Sequence, residues 1–289
     1  MIFAAINDCN LLFPEGPRWH AGRLWLSDQH GHKVYSTKSL GPAETIASFD
    51  DMPSGLGFLP NGDLLVACIR SQQVRRVSSS KINIHADLSA HGFGSINDMI
   101  VSPSGFAYVG QRPSGYCREL DRPGWLVLVR PDGTHEVAAE AMSAANGMAI
   151  APDGRTLIVA ETQGHRLTSF SIAADGSLAD REMFADLGPY SPDGICMDTE
   201  GAVWVAVPYS QVFLRVRKGG EITDRVPISS GWAVACTLAG TARKTLVMVI
   251  GETTRENLLS LGESRRDEDS RARGWIETAD VNVPGAGWP

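Results

Sequence analysis

Residues 146–160, NGMAIAPDGRTLIVA, contain the pattern that decides the fold. A polar residue and a glycine open the stretch, and an apolar run, a Pro-Asp-Gly turn and a second apolar run follow. Variants of the stretch begin 39, 43, 49 and 47 residues apart. They are EGPRWHAGRLWLSD (15–28), SGLGFLPNGDLLVA (54–67), NDMIVSPSGFAYVG (97–110), the stretch quoted first, and DGICMDTEGAVWVA (193–206), with a degenerate sixth copy from Trp232 to Val249.

A repeat of about 40–50 residues is typical of a β-propeller, in which each repeat forms one four-stranded blade. Turn dipeptides such as Asn61-Gly62 and Asp175-Gly176 separate apolar runs of strand length. No segment carries the sustained 3.6-residue apolar period of a helix. The sequence therefore predicts an all-β fold, a six-bladed β-propeller with a central axial channel.

The repeats fill the chain, so we expect a single domain over residues 1–289. A propeller has to close its ring, because an unpaired edge strand promotes aggregation. Residues 1–6 and 275–283 are both terminal and both strand-like. We therefore expect the N-terminal strand to close the last blade.

The composition argues against two classes of partner. The formal net charge is -7, and no basic stripe is present to neutralise nucleic-acid phosphates. No stretch approaches the roughly 20 apolar residues of a membrane span, and the N-terminus lacks the basic start of a signal peptide. The five cysteines have no close pairing. We expect a cytoplasmic protein with buried thiols, a monomer or weak homo-oligomer that binds neither nucleic acid nor membrane.

The innermost strand of a propeller blade runs beside the channel, so the first residue of each repeat is expected near the axis. These residues are Glu15, Ser54, Asn97, Asn146 and Asp193, with an apolar position near Trp232. Two carboxylates and two carboxamides form a ligand set suited to a hard divalent cation. Without a cation the two carboxylates would repel each other. Asn-Gly and Asp-Gly pairs also form turns, so a purely structural role for any one of these residues stays open.

Four motifs occur in order along most of the chain: Pro14-Glu15-Gly16-Pro17-x-Trp19, Asn97-Asp98, Asn146-Gly147-x-Ala149-x-x-Pro152-Asp153-Gly154 and Pro192-Asp193-Gly194. Together they resemble the senescence marker protein/gluconolactonase/luciferin-regenerating enzyme family. The resemblance implies a six-bladed propeller with one divalent ion on its axis that hydrolyses lactones, which are cyclic esters. It implies that Glu15, Asn146 and Asp193 are metal ligands. It also implies that Asn97 contacts the metal, its bound water or the substrate, and that Asp193 is the candidate general base.

Two departures from the family pattern concern the substrate. Many sugar-lactone hydrolases of the family have an arginine two residues before the asparagine of the third repeat, where this chain has Ser95. Residues 111–113 are Gln-Arg-Pro instead of the Gly-Thr-Met of many relatives. Arg112 is a spare cation, and the alternative that it replaces the missing arginine stays open. Tyr116 and Trp232 are further candidates to line the substrate mouth. These differences predict a substrate with fewer hydroxyl groups than gluconolactone.

The expected reaction is the metal-dependent opening of a small lactone ring. Ca²⁺ is the expected ion, with Mg²⁺, Mn²⁺, Zn²⁺ or Fe²⁺ as alternatives, and Asp193 would take a proton from the attacking water. No Gly-x-Ser-x-Gly elbow supports a serine nucleophile. Two alternatives stay open: a phosphotriester-type hydrolase that uses the same site, and a non-catalytic, calcium-stabilised propeller that binds a ligand.

Overall fold

The computed structural model describes residues 3–39, 41–79, 81–91, 94–111, 124–254 and 272–287. Within these ranges the chain forms 23 strands and three short 3-10 helices, and it contains no α-helix. The 3-10 helices are η1 (Ala4–Cys9), η2 (Ser89–His91) and η3 (Pro208–Ser210). No helix in this described part of the chain is long and apolar enough to cross a membrane.

The strands form six antiparallel sheets, which are the blades of a propeller. Blade 1 comprises β1 (Pro14–His20), β2 (Arg23–Asp28), β3 (Lys33–Thr37) and β4 (Ala43–Ser48). Blade 2 comprises β5 (Pro53–Phe58), β6 (Leu64–Cys68), β7 (Gln73–Ser78) and β8 (Lys81–Asp87). Blade 3 comprises β9 (Ile96–Val101), β10 (Ala107–Gln111), β11 (Gly124–Val129) and β12 (His135–Met142). Blade 4 comprises β13 (Ala145–Ile150), β14 (Thr156–Glu161), β15 (Arg166–Ile172) and β16 (Leu178–Asp186). Blade 5 comprises β17 (Ile195–Met197), β18 (Val203–Val207), β19 (Val212–Val216) and β20 (Ile222–Pro227). Blade 6 comprises β21 (Trp232–Ala239), β22 (Thr245–Glu252) and β23 (Arg273–Asp280). The predicted all-β, six-bladed propeller is confirmed.

The strands of each blade pair in sequence order, starting from an inner strand beside the channel. The ring closes because the inner strand β21 of blade 6 packs beside β1 of blade 1. An apolar cluster fills the space between these two blades, where Leu24 and Leu26 pack with Val247 and Val249, all fully buried. Burial of one such side chain stabilises a fold by about 1.5–3 kcal/mol. The apolar layers between blades therefore hold the ring together.

Neighbouring inner strands come closest at the glycine that follows an axial residue. A Cβ atom on Gly147 would lie 2.5 Å from the carbonyl oxygen of Asp193, and one on Gly194 would lie 2.5 Å from the Cβ of Ala235. Real Cβ atoms do not approach other atoms so closely, so any side chain would push the blades apart. Neither glycine has a positive φ. Close packing between blades, and not turn geometry, therefore explains these two glycines.

The N-terminal segment reaches the last blade, but not as a strand. Residues Ala4–Cys9 form the 3-10 helix η1, and blade 6 has three strands within the described ranges. The carboxamide of Asn7 contacts the edge of β23 instead: its Nδ2 donates to the carbonyl oxygen of Ile276 (3.1 Å), and its Oδ1 accepts from the Ile276 N–H (2.8 Å). The prediction of a closing N-terminal strand is therefore wrong for the described residues. One side chain already satisfies the edge groups of Ile276, while Ile6 is buried in the seam between the blades. That residues 1–289 form one domain stays a prediction.

Replacement of Asn7 tests this side-chain seam. Asn7→Ala removes both hydrogen bonds to Ile276, so we expect the free energy of unfolding to fall by about 1–3 kcal/mol. Urea denaturation measures the change. The matched control is Asp8→Ala at the exposed neighbouring position, which should change stability by less than about 0.5 kcal/mol. An Asn7→Ala protein as stable as the control would contradict the role given to this side chain.

Candidate active site at the mouth of the channel

Four inner strands begin at the same end of the channel, called the mouth here, and each has a polar residue at its second position. These residues are Glu15 of β1, Ser54 of β5, Asn97 of β9 and Asn146 of β13, and all four are buried. Asp193 lies two residues before β17 and is half-buried. The structure therefore brings the four predicted ligands, Glu15, Asn97, Asn146 and Asp193, to one end of the channel.

Five side chains form a continuous line of hydrogen bonds across the mouth, which we call the mouth arc: Gln29, Ser54, Asn97, Asn146 and Thr162. Gln29 Nε2 donates to Ser54 Oγ (3.1 Å), and Ser54 Oγ donates to Asn97 Oδ1 (3.3 Å). Asn97 Nδ2 donates to Asn146 Oδ1 (2.9 Å), and Asn146 Nδ2 donates to Thr162 Oγ1 (3.0 Å). Thr162 Oγ1 donates to the carbonyl oxygen of Pro192 (2.8 Å), the residue before Asp193. The arc thus joins blade 1 to blade 5.

The direction of these bonds fixes the two carboxamides. Asn146 uses its Nδ2 on Thr162, so its Oδ1 is held on the side of Asn97 and accepts one hydrogen bond there. An amide oxygen has two lone pairs, so one remains on Asn146 Oδ1. The Oδ1 of Asn97 accepts one hydrogen bond from Ser54 and likewise has one lone pair remaining. Amide oxygens with a remaining lone pair are ligands for hard divalent cations.

The backbone that carries Asp193 is held from two sides. The N–H of Asp193 donates to the carbonyl oxygen of Ala206 in β18 (2.9 Å), within the same blade. The N–H of Gly194 donates to the carbonyl oxygen of Val234 in β21 (2.9 Å), in the next blade. Two blades and the hydroxyl of Thr162 therefore position the start of the Asp193 side chain.

Glu15 is fixed through the neighbouring strand of its own blade. Ser27 Oγ in β2 lies 3.1 Å from the carbonyl oxygen of Glu15 and 2.7 Å from the carbonyl oxygen of Ser54, which links blade 1 to blade 2. The Glu15 carboxylate accepts the N–H of Gly16 through Oε2 (3.2 Å). The buried carboxylate is thus held close to the backbone at the mouth.

The donor set at the mouth fits a hard cation. No group of three His, Cys, Asp or Glu side chains that would hold a metal occurs among the described residues. The mouth instead combines the carboxylates of Glu15 and Asp193 with the amide oxygens of Asn97 and Asn146. Oxygen ligands of this kind suit Ca²⁺, Mg²⁺ or Mn²⁺ better than soft, thiolate-seeking ions. The residues present therefore fit the kind of ion that the sequence predicts.

Deeper in the channel, the buried guanidinium of Arg18 joins the inner strands of three blades. It donates to the carbonyl oxygens of Leu56 (2.9 Å) and Met99 (2.6 Å) and to Asp98 Oδ1 (3.3 Å). In the third repeat Asp98 occupies the position that a glycine occupies in the motifs at Glu15, Asn146 and Asp193. The Arg18 guanidinium therefore supports the wall of the channel.

The mouth has an aromatic side on blades 5 and 6. Trp232, which the sequence predicts at the substrate mouth, is the first residue of β21 and is half-buried. Its ring centroid lies 6.4 Å from that of Tyr209 in η3, and Tyr209 is 74% exposed. Gln211 Nε2 donates to the carbonyl oxygen of Gly231 (2.9 Å), which ties η3 to the start of β21. Two adjacent rings thus offer apolar surface beside Asp193.

Blades 1 and 2 form a polar side of the mouth. Burial, together with electrostatic interaction with His32 and Arg70, lowers the pKa of His30 to about 4. His30, in the turn between β2 and β3, is therefore neutral at neutral pH, and Arg70 carries positive charge near it. The Nδ1–H of His32 donates to the carbonyl oxygen of Asp51 (2.6 Å).

The other predicted site residues have different positions. Ser95 is half-buried and lies directly before β9. Arg112 and Tyr116 lie outside the described residues. Gln29 and Thr162, which complete the mouth arc, were not predicted from the sequence. Each is the first residue after the second strand of its blade, and these strands end at the mouth because they run antiparallel to the inner strands. That position in the repeat was the available signal.

A six-bladed propeller with carboxylate and carboxamide oxygens at one mouth of its channel defines the structural class. A family model described as the SMP-30/Gluconolactonase/LRE-like region matches residues 13–251, so the chain belongs to this family. A curated relative, 6-deoxy-6-sulfogluconolactonase from Pseudomonas putida, is 27% identical over 198 residues, which span 67% of this chain and 64% of that relative's length.

Solved structures share the fold over most of the chain. Regucalcin from Agrobacterium tumefaciens, a calcium-binding protein, has a TM-score of 0.77 at 19% identity and covers 97% of this chain and 94% of its own. A gluconolactonase from Xanthomonas campestris has a TM-score of 0.69 at 24% identity and covers 83% of each chain. At these identities the similarity establishes the fold.

Thr162 offers a test of the mouth arc. Thr162→Val replaces the hydroxyl by a methyl group of nearly the same size, so Asn146 Nδ2 loses its acceptor and the carbonyl oxygen of Pro192 loses its donor. We expect the free energy of unfolding to fall by about 1–3 kcal/mol. Thr162→Ser keeps the hydroxyl and should lose less than about half as much. Urea denaturation measures both changes, and an equal loss of stability in the two variants would contradict the role given to the Thr162 hydroxyl.

Proposed function

We propose that this protein is a metal-dependent lactonase that binds a divalent cation at Glu15, Asn146 and Asp193. Ca²⁺ is the proposed ion. The mouth arc is the observation that carries the proposal, because it orients the Asn146 oxygen and positions the backbone at Asp193. Family membership supports the activity, as do the names of the relatives, a 6-deoxy-6-sulfogluconolactonase and a gluconolactonase. Calcium binding by the regucalcin supports the choice of ion.

The residues at the mouth suit the hydrolysis of a cyclic ester. A bound cation would polarise the lactone carbonyl and stabilise the charge that develops on its oxygen. Asp193 is the candidate general base and accepts a proton from the water that attacks the carbonyl carbon. The ring C–O bond then breaks, and the ring oxygen leaves as a hydroxyl after it takes up a proton. Asn97 has a second N–H on Nδ2, beyond the one used by Asn146, for a substrate oxygen.

The same side chains suggest what the site accepts. Ser95 is short and cannot supply the planar fork of donors that an arginine presents to sugar hydroxyls. Tyr209 and Trp232 add apolar surface on the opposite side of the mouth. A buried hydroxyl without a partner costs about 1–3 kcal/mol. We therefore expect lactones with more hydrocarbon and fewer hydroxyl groups to be preferred.

The thiols support a reducing, cytoplasmic setting. Four cysteines are free among the described residues: Cys9, Cys68, Cys196 and Cys236. Cys196 Sγ and Cys236 Sγ lie 3.7 Å apart in the inner strands of blades 5 and 6 and are not bonded. Structural disulfides are rare in the cytosol. We propose that the protein acts there on a small lactone, as a monomer or weak homo-oligomer.

Glu15 and Asp193 have different expected roles, and two variants separate them. Glu15→Gln and Asp193→Asn each remove a charged ligand, so we expect each to weaken Ca²⁺ binding by about tenfold or more. Titration calorimetry on metal-stripped protein measures this, and Mn²⁺ serves as a second ion. At saturating metal Glu15→Gln should recover most of its kcat. Asp193→Asn should stay about 100- to 10,000-fold slower, because it lacks the base.

Glu140→Gln is the matched control, since Glu140 is exposed on the outer strand β12. Wild-type metal affinity in both mouth variants would refute the assigned ligands. Metal-dependent stability without hydrolysis of any lactone, ester or phosphotriester would show the non-catalytic alternative. Faster turnover of phosphotriesters than of any lactone would show the phosphotriesterase alternative.

Ser95 tests substrate preference. The wild type should hydrolyse an alkyl-substituted δ-lactone with a kcat/KM about tenfold or more above that for glucono-1,5-lactone, because unpaired hydroxyls are costly. Ser95→Arg should shift the ratio towards the sugar, whereas Ser95→Ala should not. Steady-state kinetics on both substrates measures the ratio. A tenfold preference of the wild type for gluconolactone would contradict the hypothesis and make Arg112 the next residue to replace.

A further inference from the structure

Several polar atoms on the polar side of the mouth are buried without a hydrogen-bond partner. They include Arg70 Nε, Ser71 Oγ and His30 Nε2, which belong to the neighbouring turns β6–β7 and β2–β3. Each such atom costs about 1–3 kcal/mol when it stays unpaired. Most buried polar groups in proteins are paired, so three of them on two adjacent turns indicate a polar ligand.

The turn that carries Arg70 is held by the carboxylate of Asp51, which precedes β5. Asp51 accepts the N–H groups of Met52 and Arg70 through Oδ1 (2.6 and 2.9 Å) and the N–H of Ser71 through Oδ2 (2.9 Å). Asp51 is buried. The Arg70 guanidinium forms no ion pair with any residue in the described ranges. The hydrogen bonds to Asp51 therefore hold a turn whose guanidinium has no acidic partner within the described part of the chain.

Arg70 supplies positive charge on this side of the mouth, where the buried carboxylates of Asp28 and Asp51 accept backbone N–H groups. Arg70 lies close enough to His30 to help lower the pKa of that imidazole, after burial and His32. His30 is therefore neutral at neutral pH and keeps one ring N–H as a donor. A guanidinium with a hydroxyl and an imidazole beside it matches the oxygens of a carboxylate, sulfonate or phosphate group.

Both turns are anchored to the mouth arc. Gln29, the residue before His30, donates to Ser54 Oγ. The N–H of Ile69, the residue before Arg70, donates to the carbonyl oxygen of Met52 (3.0 Å), two residues before Ser54. An anion held by Arg70 would therefore adjoin the reaction centre, on the side across the arc from Asp193.

We propose that Arg70, with Ser71 and His30, binds an anionic substituent of the substrate, so that the preferred substrate is a lactone with a carboxylate, sulfonate or phosphate group remote from its carbonyl. The inference rests on the proposed lactonase function. The lactone carbonyl lies at Asp193, and the anionic group lies at Arg70 on blade 2. The anion pairs the guanidinium and supplies acceptors for the hydroxyl and the imidazole N–H.

Matched lactone pairs test the proposal. Each pair shares one ring and differs only in its substituent: carboxylate against carboxamide, sulfonate against sulfonamide, and phosphate against hydroxyl. The wild type should favour at least one anionic member by roughly 10- to 100-fold in kcat/KM, as expected for charge-assisted hydrogen bonds. Arg70→Gln should abolish the preference through KM and leave turnover of the neutral lactone within about twofold. Arg70→Lys keeps the charge and should retain part of the preference.

Arg155→Gln is the matched control, because Arg155 is exposed in the β13–β14 turn at the opposite end of the channel. A wild type that hydrolyses both members of every pair equally would overturn the proposal. An Arg70→Gln protein that keeps the full preference would overturn it too.

A binding measurement separates this inference from the proposed function. Titration calorimetry with ethanesulfonate and with inorganic phosphate should show binding to the wild type that is lost in Arg70→Gln and kept in Arg155→Gln. If no lactone is hydrolysed but this pattern appears, the lactonase proposal fails and the anion site stands. If lactones are hydrolysed and neither anion binds or inhibits competitively, the anion site fails and the lactonase proposal stands.

Discussion

The close approach of the inner strands is the constraint on which the rest of the structure depends. At Gly147 and Gly194 the next blade lies where a Cβ atom would stand. This contact sets how near the axis each inner strand lies, and so how near one another the axial side chains lie. If the blades were further apart, Asn97 Nδ2 and Asn146 Oδ1 would not meet at 2.9 Å. The glycines after Glu15, Asn146 and Asp193 are thus as important to the site as the polar residues before them.

Close packing also makes hydrogen bonding obligatory, because buried polar groups without partners are costly. The mouth arc meets this requirement by giving the carboxamides of Asn97 and Asn146 each a donor and an acceptor. A fixed amide keeps one oxygen lone pair in a defined direction, as the proposed cation site requires. Arg18 plays a related part deeper in the channel, where it pairs carbonyl groups of three blades.

The mouth is not symmetric although the blades are repeats. Blades 5 and 6 contribute the rings of Tyr209 and Trp232, whereas blades 1 and 2 contribute His30 and Arg70. Turns between second and third strands carry three of these four residues, and such turns vary freely because they contribute little to the core. A frame of inner strands joined by differing turns lets one fold keep its axial residues and present different surfaces beside them. The asymmetry supports the proposed substrate, a lactone with an apolar part and an anionic part.

The sequence by itself determined the number of blades and the phase at which Glu15, Asn97, Asn146 and Asp193 reach the axis. Those features follow from a periodic pattern of apolar runs and turns, which is local information. The sequence did not predict the 3-10 helix at Ala4–Cys9, because an apolar segment of this length is also compatible with a strand. The contact of Asn7 with β23 decides between the two conformations. It also did not predict Gln29 and Thr162, or the unpaired atoms of Arg70 and Ser71. Their roles arise from contacts between blades, such as the Asn97–Asn146 bond between residues 49 positions apart. Only the closed ring brings such distant residues together, so only the tertiary structure decided how the site is oriented and which charges face it.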